Sequence, residues 1–169
     1  MKNILFVCTG NTCRSSMSKG IFDTALARNA LLMKEFTADS AGLAVTVDAP
    51  ASANSIQVLK NQWDIDISTH RAKSVTEHLV RKADLILTMT RGHKDAVLLQ
   101  FPWLLSRVFT LKEYSLDWEE AKNVAAYNDV DILDPYGMPI SVYTKCAREI
   151  ASAIDMLVVK LGKSFATTP

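Results

Sequence analysis

Cys8 and Arg14 stand six positions apart in Val7-Cys8-Thr9-Gly10-Asn11-Thr12-Cys13-Arg14-Ser15, directly after the apolar run Ile4-Leu5-Phe6. A thiol and a guanidinium at that spacing, across a short polar loop, suit nucleophilic attack on a tetrahedral oxyanion. Successive loop amides and a following helix N-terminus converge on an anion, and the same electropositive setting pulls a thiol towards thiolate. Arg14 brings a planar fork that grips two oxygens at once, which lysine cannot copy. Cys8 is therefore read as the nucleophile, with Thr9, Gly10, Asn11, Thr12 and Cys13 forming the cradle. Gly10 permits unusual backbone angles and Asn11 tolerates the left-handed region. Ser15 is read as a hydroxyl partner for the sulfur, with a plain helix cap as the alternative.

Cleaving a phosphoryl ester also requires a proton for the leaving group. The candidate acid is Asp134 in Leu133-Asp134-Pro135-Tyr136-Gly137, where proline fixes the backbone and Gly137 allows a tight turn. Asp129 and Asp131 are competing acids of lower rank. Tyr136 places an aromatic ring beside the site, able to stack on a phenyl group or a guanidinium.

These residues must be positioned by the elements around them. The pattern predicts strands over 4–7, 35–40, 85–89 and 108–110, with Ala41-Gly42 ending the second. Helices are predicted over 15–32, through Met17, Ile21, Phe22, Ala25 and Leu26, and over 51–63, with Ile56 and Leu59 inside. Another runs from the third strand to about residue 100, before Pro102. The last covers 141–161, with Val142, Cys146, Ile150, Ile154, Leu157 and Leu161 as one apolar stripe. Alternating strands and helices imply an α/β fold whose parallel sheet is covered on both faces. A loop after the first strand then lies at the carboxyl edge, where such sheets bind ligands. The acidic stretch 115–131, with Trp118 and Tyr127, reads as a solvated insertion carrying a short helix, or as a lid.

The chain has 169 residues, 49% hydrophobic and 22% charged, with a formal net charge of +1. That length fits one domain over 1–169. The near-neutral balance gives no general attraction to nucleic acid or membrane, and no apolar run approaches the roughly 20 residues of a membrane helix. Three cysteines without a signal-like N-terminus point to a reducing cytoplasm. Their spacing does not read as a zinc site.

The loop from Cys8 to Ser15, the segment Asp39-Ser40-Ala41-Gly42 and the turn Asp134-Pro135-Tyr136-Gly137 resemble the low-molecular-weight protein tyrosine phosphatases. The resemblance covers nearly the whole chain, apart from the insertion after Tyr114. It implies a flavodoxin-like fold with four parallel strands, no metal and no cofactor. It also implies phosphorylated proteins as partners, inorganic phosphate or a similar oxyanion at the loop, and neither nucleic acid nor membrane. The implied mechanism has two steps: Cys8 attacks phosphorus while Asp134 protonates the leaving group, then Asp134 activates water against the cysteinyl phosphate. Asn11, Ser40 and His70 match the family's supporting hydrogen-bond network.

Thr12 stands where tyrosine-specific members carry a bulky aliphatic residue, and so resembles the bacterial protein arginine phosphatases. The run Val108-Phe109-Thr110-Leu111-Lys112-Glu113-Tyr114, and Met89-Thr90 with His93-Lys94, are similar to theirs too. The reading favours phosphoarginine, with phosphotyrosine as the alternative. Ser16 replaces the family's usual proline, and Ser18-Lys19-Gly20 also departs from the pattern. Cys13 is read either as a partner that traps oxidised Cys8 in a reversible disulfide or as a small residue packed beneath the loop; Cys146 is assigned to the core. Two rivals are an arsenate reductase, which needs further mid-chain cysteines, and a non-catalytic oxyanion-binding or redox-sensing module, which has no need of Asp134. Between Cys13 and Cys146 there is no cysteine.

Overall fold

Alternation along the first strand sets both faces of the sheet. In the computed structural model, which describes residues 1–116 and 129–166, β1 (Lys2–Cys8) sends Ile4, Phe6 and Cys8 to one side and Leu5 and Val7 to the other, all buried. A strand buried on both faces reads as an unbroken apolar run, as this one does. The described elements continue with α1 (Arg14–Ala27), α2 (Ala30–Glu35), β2 (Phe36–Gly42), α3 (Ala53–Trp63), α4 (Glu77–Lys82) and β3 (Leu85–Thr88). They end with α5 (Arg91–Gln100), a 3-10 turn at Pro102–Leu104, β4 (Val108–Thr110), α6 (Leu111–Ser115) and α7 (Ile140–Ala166). All strand pairs are parallel, in the order β2-β1-β3-β4.

One face of the sheet receives Met17, Ile21 and Phe22 of α1, Val58 and Leu59 of α3, Leu111 of α6, and Ile150, Ile154 and Leu157 of α7. Phe22 meets Phe6 edge to face, with ring centres 5.7 Å apart. The other face is covered by Val80 of α4, Val97 of α5, and Phe101 and Leu104. Between β1 and β3 the strand order reverses, which opens a crevice between the loops that follow those strands. Register pairs Cys8 with Gly42 and Val7 with Thr88, so three strands finish at the edge where the chemistry must lie. No helix among the described residues is long and apolar enough to cross a membrane.

The doubly covered parallel sheet is the one read from the sequence, but several elements differ. The helix expected over 15–32 is two helices. Asn29 interrupts it and caps α2, its Oδ1 accepting from the amides of Leu31 and Leu32 at 3.2 Å each. Leu32 is buried beside the α1 residues, so the apolar spacing runs on through the break. The second strand starts at Phe36 rather than residue 35, since Glu35 closes α2, and it includes Ala41 and Gly42. At the start of α7 Tyr143 is buried and Val142 only half-buried, which turns the first part of the expected stripe. Cys146 sits in the core beneath α1, and burial pushes its thiol up to about 12. The helices α4 and α6 have no counterpart in the sequence reading. Most of the acidic stretch, with Trp118 and Tyr127 and the lid assigned to it, falls outside the described residues.

Candidate active site

The loop after β1 turns its amides inward because its carbonyls are held from outside. The carbonyls of Cys8, Thr9 and Thr12 accept from the amides of Leu43, Ala44 and Ser52 at 2.9–3.0 Å, and that of Cys13 accepts from Met17 at 2.9 Å. The Asn11 carbonyl accepts from His70 Nε2 at 2.6 Å. Asn11, at φ +57°, makes the left-handed turn that closes the ring. The turn was expected to draw on Gly10, yet Gly10 has an ordinary φ and the strain falls on Asn11 alone. The Asn11 side chain is pinned throughout. Its Oδ1 accepts from the amide of Lys73 at 3.0 Å, and its Nδ2 donates to Ser15 Oγ at 2.9 Å and Ser40 Oγ at 3.0 Å. Asn11, Ser40 and His70 thus converge on one hydrogen-bond network around the loop.

Cys8 Sγ lies 2.9 Å from Ser15 Oγ and accepts the Asn11 amide at 3.3 Å. A hydroxyl has one hydrogen. Asn11 Nδ2 donates to Ser15 Oγ, and the Ser15 hydrogen has two acceptors in reach, the Cys8 sulfur at 2.9 Å and the Ala41 carbonyl at 3.4 Å, the sulfur being the nearer. Cys13, not Ser15, precedes α1, and no side chain caps the helix, so the capping alternative for Ser15 does not hold. The expectation of a lowered thiol needs correction. Burial is the largest influence on Cys8 and pushes its thiol up; the Ser15 hydroxyl, the Ser15 amide, Arg14 and the Asn11 amide each pull it down, in that order. The loop supplies the pull towards thiolate that the sequence implied, but a sulfur at 2% exposure resists ionisation more strongly. Ser15→Ala removes the strongest opposing group. Iodoacetate alkylation of Cys8, which needs thiolate, is therefore expected to move to higher pH in that variant and to slow about tenfold at neutral pH. An unchanged pH profile would show that Ser15 does not act on the sulfur.

Arg14 is 4% exposed, and its guanidinium is fixed from the far side: Nη1 donates to the carbonyl of Ile132 at 3.1 Å, and Nη2 pairs with Asp134 Oδ2 at 2.7 Å. Nε is buried without a hydrogen-bond partner. An orphaned buried donor beside an inward-facing ring of amides marks where an anion belongs. The turn bearing Asp134 is tethered just past the end of β3 by the Ile132 amide, which donates to Met89 O at 2.8 Å. It is braced within itself by the Tyr136 amide on Asp134 Oδ1 at 3.1 Å. Gly137 adopts φ +73°, as the tight turn demands. The competing acids are engaged elsewhere: Asp131 accepts the Arg91 amide at 2.7 Å, and Asp129 pairs with Lys112 at 3.4 Å.

These groups line a pocket of about 390 Å³ walled by Cys8, Thr9, Gly10, Thr12, Cys13, Arg14, Asp134 and Tyr136 together with Ala44, Thr46 and Ala49. Tyr136 stands exposed at the rim. Cys13 Sγ lies among Ser52 Oγ and Tyr143 Oη at 3.5 Å each and Thr12 Oγ1 at 3.7 Å. Cys8, Cys13 and Cys146 are all free thiols.

Sequence reasoning missed the part played by Gly42. A Cβ there would lie 2.5 Å from the Thr9 carbonyl and 2.9 Å from the Asn11 amide, so only glycine lets β2 end against the loop. It quoted His93 only within a run similar to the arginine phosphatases and gave it no role, although its Nε2 lies 2.9 Å from Thr9 Oγ1.

Comparison with known proteins agrees with this arrangement. A relative named protein-arginine-phosphatase, from Geobacillus stearothermophilus, is 37% identical over 158 residues, covering 94% of this chain and 95% of its own. A low molecular weight protein tyrosine phosphatase from T. tengcongensis superposes with a TM-score of 0.79 at 42% identity, covering 95% of this chain and 99% of that one. A cysteine-to-serine variant of the arginine phosphatase YwlE, with a phosphorylated active-site serine, superposes at 0.83 with 32% identity, covering 95% and 96%. The family described as low molecular weight phosphotyrosine protein phosphatase matches residues 3–167. With a match running through the sheet, the thiol loop and the acid turn alike, the chain belongs to that family of phosphatases.

Proposed function

We propose that this phosphatase removes phosphate from phosphoarginine in proteins, through a cysteinyl phosphate on Cys8, with the whole chain acting as one domain. The observation that carries the reading is the placement of Cys8, the unpartnered Nε of Arg14 and Asp134 around one pocket. Arg14 Nε–H and the second hydrogen of Nη2 form a side-on fork for two phosphoryl oxygens, while the first keeps Asp134 at hand. In the first step Cys8, as thiolate, forms a bond to phosphorus as the bond to the leaving nitrogen breaks, and the protonated Asp134 carboxyl gives that nitrogen its proton. In the second, Asp134 takes a proton from water as its oxygen attacks phosphorus. The sulfur departs as thiolate, accepting a hydrogen bond from the Ser15 hydroxyl. The phosphorylated serine of the YwlE variant supports a covalent intermediate at this position. The three free thiols fit a reducing, cytoplasmic setting.

Phosphoarginine is preferred over phosphotyrosine because Thr12 lines the pocket with a small hydroxyl-bearing side chain, and because the Geobacillus relative carries that activity in its name. The 42% identity to a tyrosine phosphatase favours phosphotyrosine instead, while the exposed Tyr136 ring suits either substrate. The arsenate reductase alternative lacks support, since Cys146 is locked in the core. Thr12→Ile separates the two substrates. It is expected to shift the ratio of kcat/KM for phosphoarginine over phosphotyrosine peptides by about 10- to 200-fold towards phosphotyrosine, the range that small pocket changes command. A wild type that prefers phosphotyrosine, with a ratio unmoved by the substitution, would remove the arginine reading.

A further inference from the structure

Two tight turns border the mouth of the pocket. In one, the Ala49 amide donates to the Thr46 carbonyl at 3.2 Å; in the other, the Met138 amide donates to the Pro135 carbonyl at 2.9 Å. Each turn lends residues to the pocket wall, Thr46 and Ala49 from the first and Tyr136 from the second. Sheet order sets the two apart, because β1 lies between β2 and β3. The first turn follows β2, and the amides of Leu43 and Ala44 tie its approach to the Cys8 loop. The second is tethered just past β3 through Ile132 and Met89. The Cys8 loop, which follows β1, therefore forms the floor of a cleft between two rims.

The rims share a chemistry that the two-step reaction does not use. Val47 on the first, and Tyr136, Met138 and Ile140 on and just after the second, are all exposed. Single exposed apolar side chains are ordinary, but a set gathered about a pocket mouth marks a contact surface. Within 43–50 and 132–144 the only charged residues are Asp48 and Asp134, both exposed acids. Arg71, bridged to Pro50, directs Nη1 at the carbonyls of Ser68 and His70.

We propose that these rims dock the polypeptide that carries the phosphorylated residue, taking apolar side chains beside that residue and disfavouring acidic ones. The occupant follows from the depth of the site. Cys8 is buried at the floor, so a substrate side chain that reaches it leaves its own main chain between the rims. The proposal rests on the phosphatase reading above. It holds for phosphoarginine and phosphotyrosine alike, because Val47, Met138 and Ile140 meet the neighbours of the phosphorylated residue. Contacts of this kind are made equally before and during the chemical step, so they act on KM and leave kcat alone.

Three peptides test it, each with a central phosphoarginine flanked on both sides by leucines, serines or glutamates. Wild-type kcat/KM is expected to be about tenfold higher with leucine than with serine, through KM, the scale of burying apolar side-chain surface. Glutamate should fall about two- to fivefold below serine at low salt, and the gap should close at high salt. Val47→Ser and Met138→Ser combined should bring the leucine peptide to within about twofold of the serine peptide. Asp48 holds φ +63°, a conformation asparagine also tolerates, so Asp48→Asn removes the charge without strain and should about halve the glutamate penalty. Turnover of p-nitrophenyl phosphate, which has no neighbouring residues, should change less than about twofold in every variant.

Equal rates on the three peptides, a leucine preference that survives both serine substitutions, or a parallel loss of p-nitrophenyl phosphate turnover would each overturn the docking cleft while Cys8-dependent turnover stands. So would a dimer in sedimentation that the paired serine substitutions dissolve, since the rims would then belong to a second copy of the chain. Should the wild type act on phosphotyrosine alone, the same three sequences with a central phosphotyrosine carry the test. A wild type without Cys8-dependent turnover would instead sink the phosphatase reading and this proposal together. Should the paired variant fail to fold, Met138→Ser alone and Asp48→Asn still decide.

Discussion

Cys8→Ser is expected to lower turnover of p-nitrophenyl phosphate by on the order of 10⁴-fold or more, the scale seen when a nucleophile is removed from a working constellation. The substitution changes one atom in a loop whose carbonyls are held from outside by the amides of Leu43, Ala44 and Ser52. Arg14 and Asn11 keep their partners, so phosphate should still bind and the folded state should persist. A serine oxygen is a poorer nucleophile than sulfur and, once phosphorylated, a poorer leaving group. Steady-state kinetics together with phosphate titration check both halves. Near-normal turnover would exclude Cys8 as the attacking group, and loss of phosphate binding would show that the sulfur also shapes the loop.

Asp134→Asn is expected to slow hydrolysis of substrates with poor leaving groups by about 10²- to 10⁴-fold, the usual reach of a general acid. p-Nitrophenyl phosphate, whose leaving group departs without a proton, should be affected far less. The amide keeps one oxygen, which can accept from Arg14 or from the Tyr136 amide but not from both, since those contacts use the two different carboxylate oxygens. The Arg14–Asp134 pair joins a buried guanidinium to a carboxylate that is 49% exposed, so little folding stability rides on it. Comparing a series of leaving groups separates the possibilities. Uniform slowing across the series would assign Asp134 to holding Arg14 rather than to proton transfer.

How much of this was legible depended on how far apart the partners lie in the chain. The thiol loop is contiguous: Cys8, Asn11, Arg14 and Ser15 fall within eight residues of one strand end, so spacing alone implied convergence. Asp134 was readable because Pro135 and Gly137 announce a rigid turn. Gly42 was not, because its requirement comes from register with Cys8, which places a Cβ against the Thr9 carbonyl. His93 was not, since one histidine on a helix gives no sign that it faces another loop. The break at Asn29 was hidden by apolar spacing that continues to Leu32. The helix α4 contributes a single buried residue, Val80, too little for a periodic signal. The helix α6 was recoverable, as Thr110 and Glu113 form a capping box three residues apart. The balance at Cys8 could not be read from residue types at all, because burial and the opposing hydrogen bonds act together only in the folded site.

Acid quenching within the first turnover, followed by mass mapping of the protein, addresses the covalent step itself. The account predicts one added phosphoryl group, carried on the peptide containing Cys8 and lost as turnover proceeds. No phosphorylated protein at any quench time under active turnover, or a phosphoryl group on a residue other than Cys8, would contradict it.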